Sequence, residues 1–437
     1  MERLKERLNR LNPVLFSLIA ISGAFVTYFS MYAFRKPFTA ATYEDLTVGN
    51  VDYKIIAIIT QVCGYALSKF IGIKVISEMK ASVRILAILG LIGSAWLALF
   101  LFAVVPTPWN VVFLFLNGLP LGMIWGVVFS FLEGRRFTEL MGAGLCASFI
   151  VSSGAVKAVG RELIVNYGVD PFWMPFLTGL LFVLPLFLGV FVLSLLPPPT
   201  PEDEAHRTER VPMNGKTRAA FFSQFSVGIV LTVLIYMLLT VFRDIRDNFN
   251  IEIWNALGYG DTPHILATAE IPVAVLVLVF IGLMSYVKNN RPAFYLNFVI
   301  IIFAGALLTL TTALYQAGSL DPIVWMIMNG FSMYLAYIAY HTFLFERWIA
   351  LFRYKSNIGF LMYIADAFGY LGAISVMIFK NFSTTELSWY HVFIQLGYVT
   401  GIATIILGGI SAIYFRRKEA QLLRPAADDG VPVLKTT

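Results

Sequence analysis

Two arginines raise the question of chemistry first. Arg35 lies in Tyr32-Ala33-Phe34-Arg35-Lys36-Pro37-Phe38 and Arg243 in Phe242-Arg243-Asp244-Ile245-Arg246-Asp247, each about 22 residues into an apolar run. A basic residue near the bilayer centre costs about 2.5–3.5 kcal/mol even on the lenient insertion scale, so an arginine inside such a run needs a reason. A guanidinium presents a planar fork of donors that matches phosphate in pairs, and two symmetry-related arginines facing one cavity would form a clamp for a dianion. Two plainer readings stand beside this one. Arg35 could snorkel to the headgroups with Lys36, Glu44 and Asp45 as company, and Arg243 could pair internally with Asp247 at i,i+4 spacing.

Other polar residues interrupt the apolar runs. Asp366 and His341 would be costly in lipid and could form a proton relay, or else a helix contact and an ion pair with a neighbouring lysine or arginine. Glu133 with Arg135, and Glu346 with Arg347, look like a repeated pair at a gate. Lys157, Arg161 and Glu162 have the spacing of a local ion pair. Tyr334, Tyr337, Tyr340 and Phe343 recur at intervals of three on one stretch, which lines a cavity with phenols or packs a core; Trp125 and Asn117 are candidates on the matching side. Gly118 and Gly122 form a G-x-x-x-G, a pattern of close helix packing.

Enzyme chemistry finds little support. The sequence has no H-E-x-x-H, no G-x-S-x-G and no G-x-x-x-x-G-K, and its two cysteines, Cys63 and Cys146, sit inside apolar segments, so no metal site, cofactor or disulfide framework is expected.

The elements that position these residues follow from composition. With 58% hydrophobic and 13% charged residues and a mean hydropathy of +0.77, the chain lies far from soluble domains, where roughly 25% of residues are charged, and a nucleic-acid binder is excluded with them. At roughly 20 residues per span, 437 residues accommodate about twelve transmembrane helices. Apolar segments run near 14–44, 54–74, 84–105, 109–133, 140–165 and 172–196, then 218–246, 266–287, 293–315, 323–345, 357–380 and 391–415. This divides the chain into a six-helix bundle over 1–196, a polar linker over 197–217, a second bundle over 218–415 and a polar tail over 416–437. Placing the N-terminus inside assigns 23 of the 32 lysines and arginines to cytoplasmic segments, which predicts a plasma or inner membrane protein with both termini cytoplasmic. The apolar run after Pro13 is too long for a cleaved leader and no cleavage site follows it.

The halves echo each other. Phe34-Arg35 recurs as Phe242-Arg243 and Asn117-Gly118 as Asn329-Gly330, at offsets of 208 and 212 residues. Parallel six-helix repeats joined by a long inner loop describe the major facilitator architecture: an all-α membrane protein of two pseudo-symmetric bundles.

Within that architecture, Tyr32-Ala33-Phe34-Arg35-Lys36-Pro37-Phe38 followed by Gly64-Tyr65-Ala66-Leu67-Ser68-Lys69-Phe70 resembles the organophosphate:phosphate antiporters, a family typified by glycerol-3-phosphate transporters. The resemblance covers roughly the first 160 residues and is patchy beyond; Phe368-Gly369-Tyr370-Leu371-Gly372 also looks familiar. It implies that Arg35 and Arg243 hold a phosphoryl group and that Lys69 adds positive potential. Where the family has a histidine in its fifth helix, this sequence has Ser148.

The expected function is therefore secondary-active transport of a small anionic solute, a phosphorylated metabolite exchanged for phosphate, by a monomer in a lipid bilayer. Its substrate site comprises Arg35, Arg243, Lys69, Tyr32, Asn117, Trp125, Tyr337 and His341, with Glu133, Glu346 and Asp366 in gating or proton coupling. Two alternatives remain: a proton-coupled symporter of a neutral or carboxylate solute, and a non-transporting membrane protein on the same fold.

Overall fold

The structure is a computed structural model. It describes residue 8 and residues 11–422, apart from 44–45, 50, 78, 133–134, 136–137, 199–214, 261, 263, 285, 288, 353–357 and 383–387. Glu133 and the His341 side chain lie outside the described residues.

Among the described residues, eleven helices are long and apolar enough to cross a membrane, and a bent pair, taken as one span, brings the number to twelve. We number the spans α1 (Pro13–Ala33), α2 (Tyr53–Ser77), α3 (Arg84–Val104), α4 (Val111–Phe129), α5 (Thr138–Val165) and α6, which is Met174–Leu181 continued by Val183–Leu195. The second half holds α7 (Gly215–Asn248), α8 (Ile265–Met284), α9 (Asn290–Gln316), α10 (Pro322–Ala339), α11 (Ile358–Phe382) and α12 (Trp389–Leu422). The 45° bend in α6 falls at Phe182. Pro185, four residues after Leu181, cannot donate to its carbonyl.

Local sequence sets the helix ends. Asn12 caps α1 by accepting from the Val14 amide at 2.9 Å, and Asp321 caps α10 by accepting from the Ile323 amide at 2.8 Å; each cap is followed by a proline at the first helical position. The apolar run read as 14–44 is not one helix. Helix α1 stops at Ala33, because Pro37 cannot donate to the Ala33 carbonyl, and a short 3₁₀ turn over Pro37–Ala40 follows. At the other end of the chain, α12 continues beyond residue 415 to Leu422. Buried Glu419 holds its last turns by pairing with Arg291 at 2.8 Å and accepting from Tyr295 at 2.8 Å.

Packing repeats between the halves. Helix α2 lies against α4 as α8 lies against α10; α1 packs on α5 and α6 as α7 packs on α11 and α12. The halves meet through α2 with α11 and, by the same pseudo-symmetry, α8 with α5. Glycines permit the closest approaches. A Cβ on Gly118 of α4 would lie 2.2 Å from the Gln61 carbonyl of α2, and one on Gly154 of α5 would lie 2.0 Å from the Leu266 carbonyl of α8. Interhelical contact in a bilayer depends on such backbone proximity, since lipid is as apolar as leucine.

Candidate substrate site

Because α1 ends early, Arg35 lies in the turn just beyond it, its amide bonded to the Tyr32 carbonyl at 3.0 Å. Two amides from neighbouring helices fix that turn. Asn117 Nδ2 donates to the Phe34 carbonyl at 2.8 Å and to the Ala95 carbonyl at 2.9 Å, while Gln61 Nε2 donates to the Arg35 carbonyl at 2.7 Å and to Asn117 Oδ1 at 2.8 Å. Asn117, expected to touch substrate, is instead committed to backbone and to Gln61. The adjoining Gly118 lets α2 come near enough for this network to close.

The Arg35 side chain is 4% exposed. Among the described residues its guanidinium makes no hydrogen bond and no ion pair, and its buried Nε has no acceptor. It lies over the Tyr65 ring, Cζ 3.6 Å from the centroid, a cation–π contact that leaves the edge donors available. The expectation that Arg35 snorkels beside Lys36 is not met: Lys36 turns to the opposite half, forming an ion pair with Asp247 and donating to Asn248 Oδ1 at 2.9 Å.

Arg243, inside α7, is arranged differently. It pairs with its neighbour Asp244 at 2.8 Å, donates to the hydroxyls of Tyr337 and Tyr370, and lies over the Tyr337 ring at 4.6 Å. Asp247 is therefore not its partner. That carboxylate accepts from Lys36, Lys157 and Ser153, all in the first half. Lys157 in turn belongs to no local pair with Glu162; it reaches across to Asp247 at 2.7 Å because Asp247 lies on the α7 face turned toward α5. Lys54–Glu252 at 2.6 Å joins the halves at the same end.

Two adjoining cavities lie between the halves. One is lined by Tyr32, Arg35, Lys36, Arg243, Asp247 and Tyr334 among others. The second is lined by Tyr65, Lys69, Trp125, Tyr337, Asp366 and Tyr370 among others; both are narrow, and Tyr32, Phe149 and Arg243 form the shared wall. Lys69 pairs with Asp366 at 3.0 Å, and Tyr236 donates to the same carboxylate. Among the described residues, Arg35, Lys36, Lys69 and Arg243 line these spaces and Lys157 bonds Asp247 from behind the wall, five cations in all. Asp244, Asp247 and Asp366 give three carboxylates, so two positive charges remain. Arg246 and Glu270 pair at 2.6 Å, so their charges offset each other. Excess positive charge in a low-dielectric space attracts anions.

Of the residues singled out from sequence, Arg35, Arg243, Lys69, Tyr32, Trp125, Tyr337 and Asp366 thus line two adjoining cavities. Glu346 lies apart, on the short helix Phe345–Phe352 that follows α10, and its neighbour Arg347 donates to Asn290 at 2.7 Å within the second half. Arg135 likewise bonds the carbonyls of Phe131 and Pro197 in the first half. The α10 tyrosines divide: Tyr334 and Tyr337 line the cavities, whereas Tyr340 packs on Tyr236 and Phe345. Ser148 donates to the Leu145 carbonyl within α5. Sequence reasoning gave no role to Tyr65 or Tyr370, whose rings lie 5.0 Å apart between the two arginines, although both stand in the motifs Gly64-Tyr65 and Gly369-Tyr370.

Residues 37–418 match the profile of a family described as "Family of unknown function (DUF5690)". The chain belongs to DUF5690. No curated protein matches the sequence. Among solved structures, the DUF5690 chain is similar to a D-xylose-proton symporter, with 14% identity over 91% of this chain and 96% of that one and a TM-score of 0.55. It is similar also to the nucleoside transporter NupG, with 15% identity over 92% and 99% and a TM-score of 0.59. A third is the human organic anion transporter MFSD10 (TETRAN), with 11% identity over 89% and 98% and a TM-score of 0.54. At such identities the likeness establishes the fold: DUF5690 has the major facilitator architecture, a multi-pass helical membrane protein.

Proposed function

We propose that this DUF5690 protein is a secondary-active transporter of a small anionic solute, a phosphorylated metabolite exchanged for phosphate. The observation that carries the reading is Arg35. It is a buried guanidinium without hydrogen bond or ion pair among the described residues, and it opens on a space between two halves where the positive side chains outnumber the carboxylates. Burying an uncompensated charge is strongly unfavourable, so such a site is stable in function only when an anion visits it. Arg243 faces the same chamber, and Lys69 the adjoining one. Rocking of the halves about this midplane site would expose it to each side in turn. With the chamber empty the two cations repel, which slows reorientation without substrate and favours exchange over net flux. The bias of basic residues supports a plasma or inner membrane with both termini cytoplasmic.

Thermal unfolding of the detergent-purified protein tests the reading, with phosphate, phosphate esters, carboxylates and neutral sugars as ligands. A ligand at 100 times its dissociation constant adds about 2.7 kcal/mol of apparent stability. The expected result is stabilisation by phosphorylated compounds that disappears in Arg35→Gln. Stabilisation by uncharged or carboxylate ligands alone, unchanged in that variant, would overturn the reading in favour of a symporter.

A further inference from the structure

The Lys69–Asp366 pair joins the halves on the wall of the second cavity, whereas Lys36–Asp247 lies on the wall of the first. Lys36–Asp247, Lys157–Asp247 and Lys54–Glu252 gather at the end of the bundle where α2 begins. Lys69 lies 16 residues along α2, about 24 Å at 1.5 Å per residue, on the other side of Arg35. An anion in the second cavity therefore meets Lys69 and Arg243 together, and it competes with Asp366 for the ammonium. We propose that Asp366 is a proton-binding site loaded by the substrate: the anion takes Lys69, and the displaced carboxylate takes up one proton.

The surroundings of Asp366 fit that exchange. From α7, Tyr236 donates to its Oδ1, and the same hydroxyl lies 2.7 Å from that of Tyr337 on α10, which Arg243 also reaches. From α2, Lys69 is the cation at its Oδ2, and Tyr65 stands behind it with Nζ 5.2 Å from the ring centroid. On α11 itself, Tyr363 and Tyr370 flank it; the Tyr363 ring is 5.8 Å from the Lys69 ammonium. The segment Phe345–Phe352, also packed on α11, carries Glu346 and Arg347. When Lys69 turns to an anion, the carboxylate keeps its phenol donor but loses its counter-cation inside the membrane, beside a newly arrived negative charge. Protonation relieves both conditions. The O–H bond forms on the Asp366 carboxylate with a proton drawn from water at the open face. It breaks, returning the proton to water at the opposite face, when the anion leaves and Lys69 pairs again. Nothing is oxidised or reduced. One anion thus travels with one proton, and exchange of one anion for another moves no net proton.

The inference rests on the anion reading above, and calorimetry of inorganic phosphate binding separates the two. Titrations at pH 8 in two buffers of different ionisation enthalpy give the protons taken up per phosphate bound. The expected result is about one proton more in the wild type than in Asp366→Asn. The dissociation constant should then rise with pH about tenfold per unit more steeply in the wild type than in the variant. Lys69→Gln provides a second test: it leaves Asp366 without its lysine from the start, so phosphate binds more weakly and brings no extra proton. Equal proton uptake in wild type, Asp366→Asn and Lys69→Gln would overturn the inference while leaving the anion site standing. Absence of phosphate binding by the wild type would overturn both.

Discussion

Replacing Asn117 with alanine separates a residue that touches substrate from one that holds the residue that does. In the structure its amide makes three bonds: to the Phe34 carbonyl at 2.8 Å, to the Ala95 carbonyl at 2.9 Å and with Gln61 Nε2 at 2.8 Å. Interhelical side-chain hydrogen bonds in membranes average about 0.6 kcal/mol, so losing three removes about 2 kcal/mol. A buried carbonyl left without its donor adds about 1–3 kcal/mol. The expected loss is about 3–5 kcal/mol in the ligand-free protein. Asn329, its counterpart in the second half, provides the control. Its Oδ1 accepts only at 3.2 and 3.5 Å from Thr311 and Thr312, and its Nδ2 has no partner, so Asn329→Ala should cost about 1 kcal/mol or less. Unfolding of each variant with and without phosphate is the assay. The reasoning fails if Asn117→Ala unfolds like the wild type without ligand yet no longer responds to phosphate, since that is the behaviour of a substrate ligand.

Two further variants probe the contact between the halves. In Gly154→Val the new Cβ would lie 2.0 Å from the Leu266 carbonyl, a backbone atom that cannot swing aside, so α5 and α8 should separate at that end while each half stays folded. Spin labels on the two helices should report a distance increased by on the order of 1–2 Å; an unchanged distance would show that the bundle absorbs the methyl groups elsewhere. Asp247→Asn strands Lys36 and Lys157, and removing one partner of a buried pair typically costs about 3–5 kcal/mol, enough to shift the halves toward opening where α2 begins. A cysteine at Ser153, which bonds the same carboxylate, should then react with a water-soluble thiol reagent at least tenfold faster than in the parent, and an equal rate would refute the latch.

How much could be read from sequence depended on whether the deciding force was local. The spans were legible because about 20 consecutive apolar residues have few fates other than crossing a bilayer, and the caps at Asn12 and Asp321 act within three residues. The end of α1 was signalled as well, by Pro37, although hydrophobicity continues past it and drew the helix on to residue 44. Partner choice among charges was not legible. Asp247 has Arg243 one helical turn behind it, yet its cations come from Lys36 and Lys157, more than 80 residues away, because the relevant neighbours belong to the facing half. Asn117 was misread for a related reason. A polar side chain in an apolar helix signals that something must be hydrogen-bonded, but the sequence does not say whether that is a solute or the backbone of the next helix.

The internal repeat gains meaning where its copies diverge. Phe34-Arg35 and Phe242-Arg243 begin as the same pair, and both arginines reach one chamber. Arg243 lies within a continuous helix beside Asp244, with two phenols on its donors, so much of its charge and hydrogen bonding is already answered. Arg35 lies in a turn, makes no ion pair among the described residues and rests on a ring that leaves its donors unused. On the anion reading proposed above, a ligand would gain most from Arg35, while Arg243 would give up part of an existing network to take hold of it, including the Tyr337 hydroxyl that leads to Tyr236 and Asp366. A symmetric pair of free arginines would bind an anion without informing the rest of the second half. An asymmetric pair would bind through one arm and report through the other, and on the proposed reading that would tie occupancy of the chamber to the Lys69–Asp366 contact on which the halves meet.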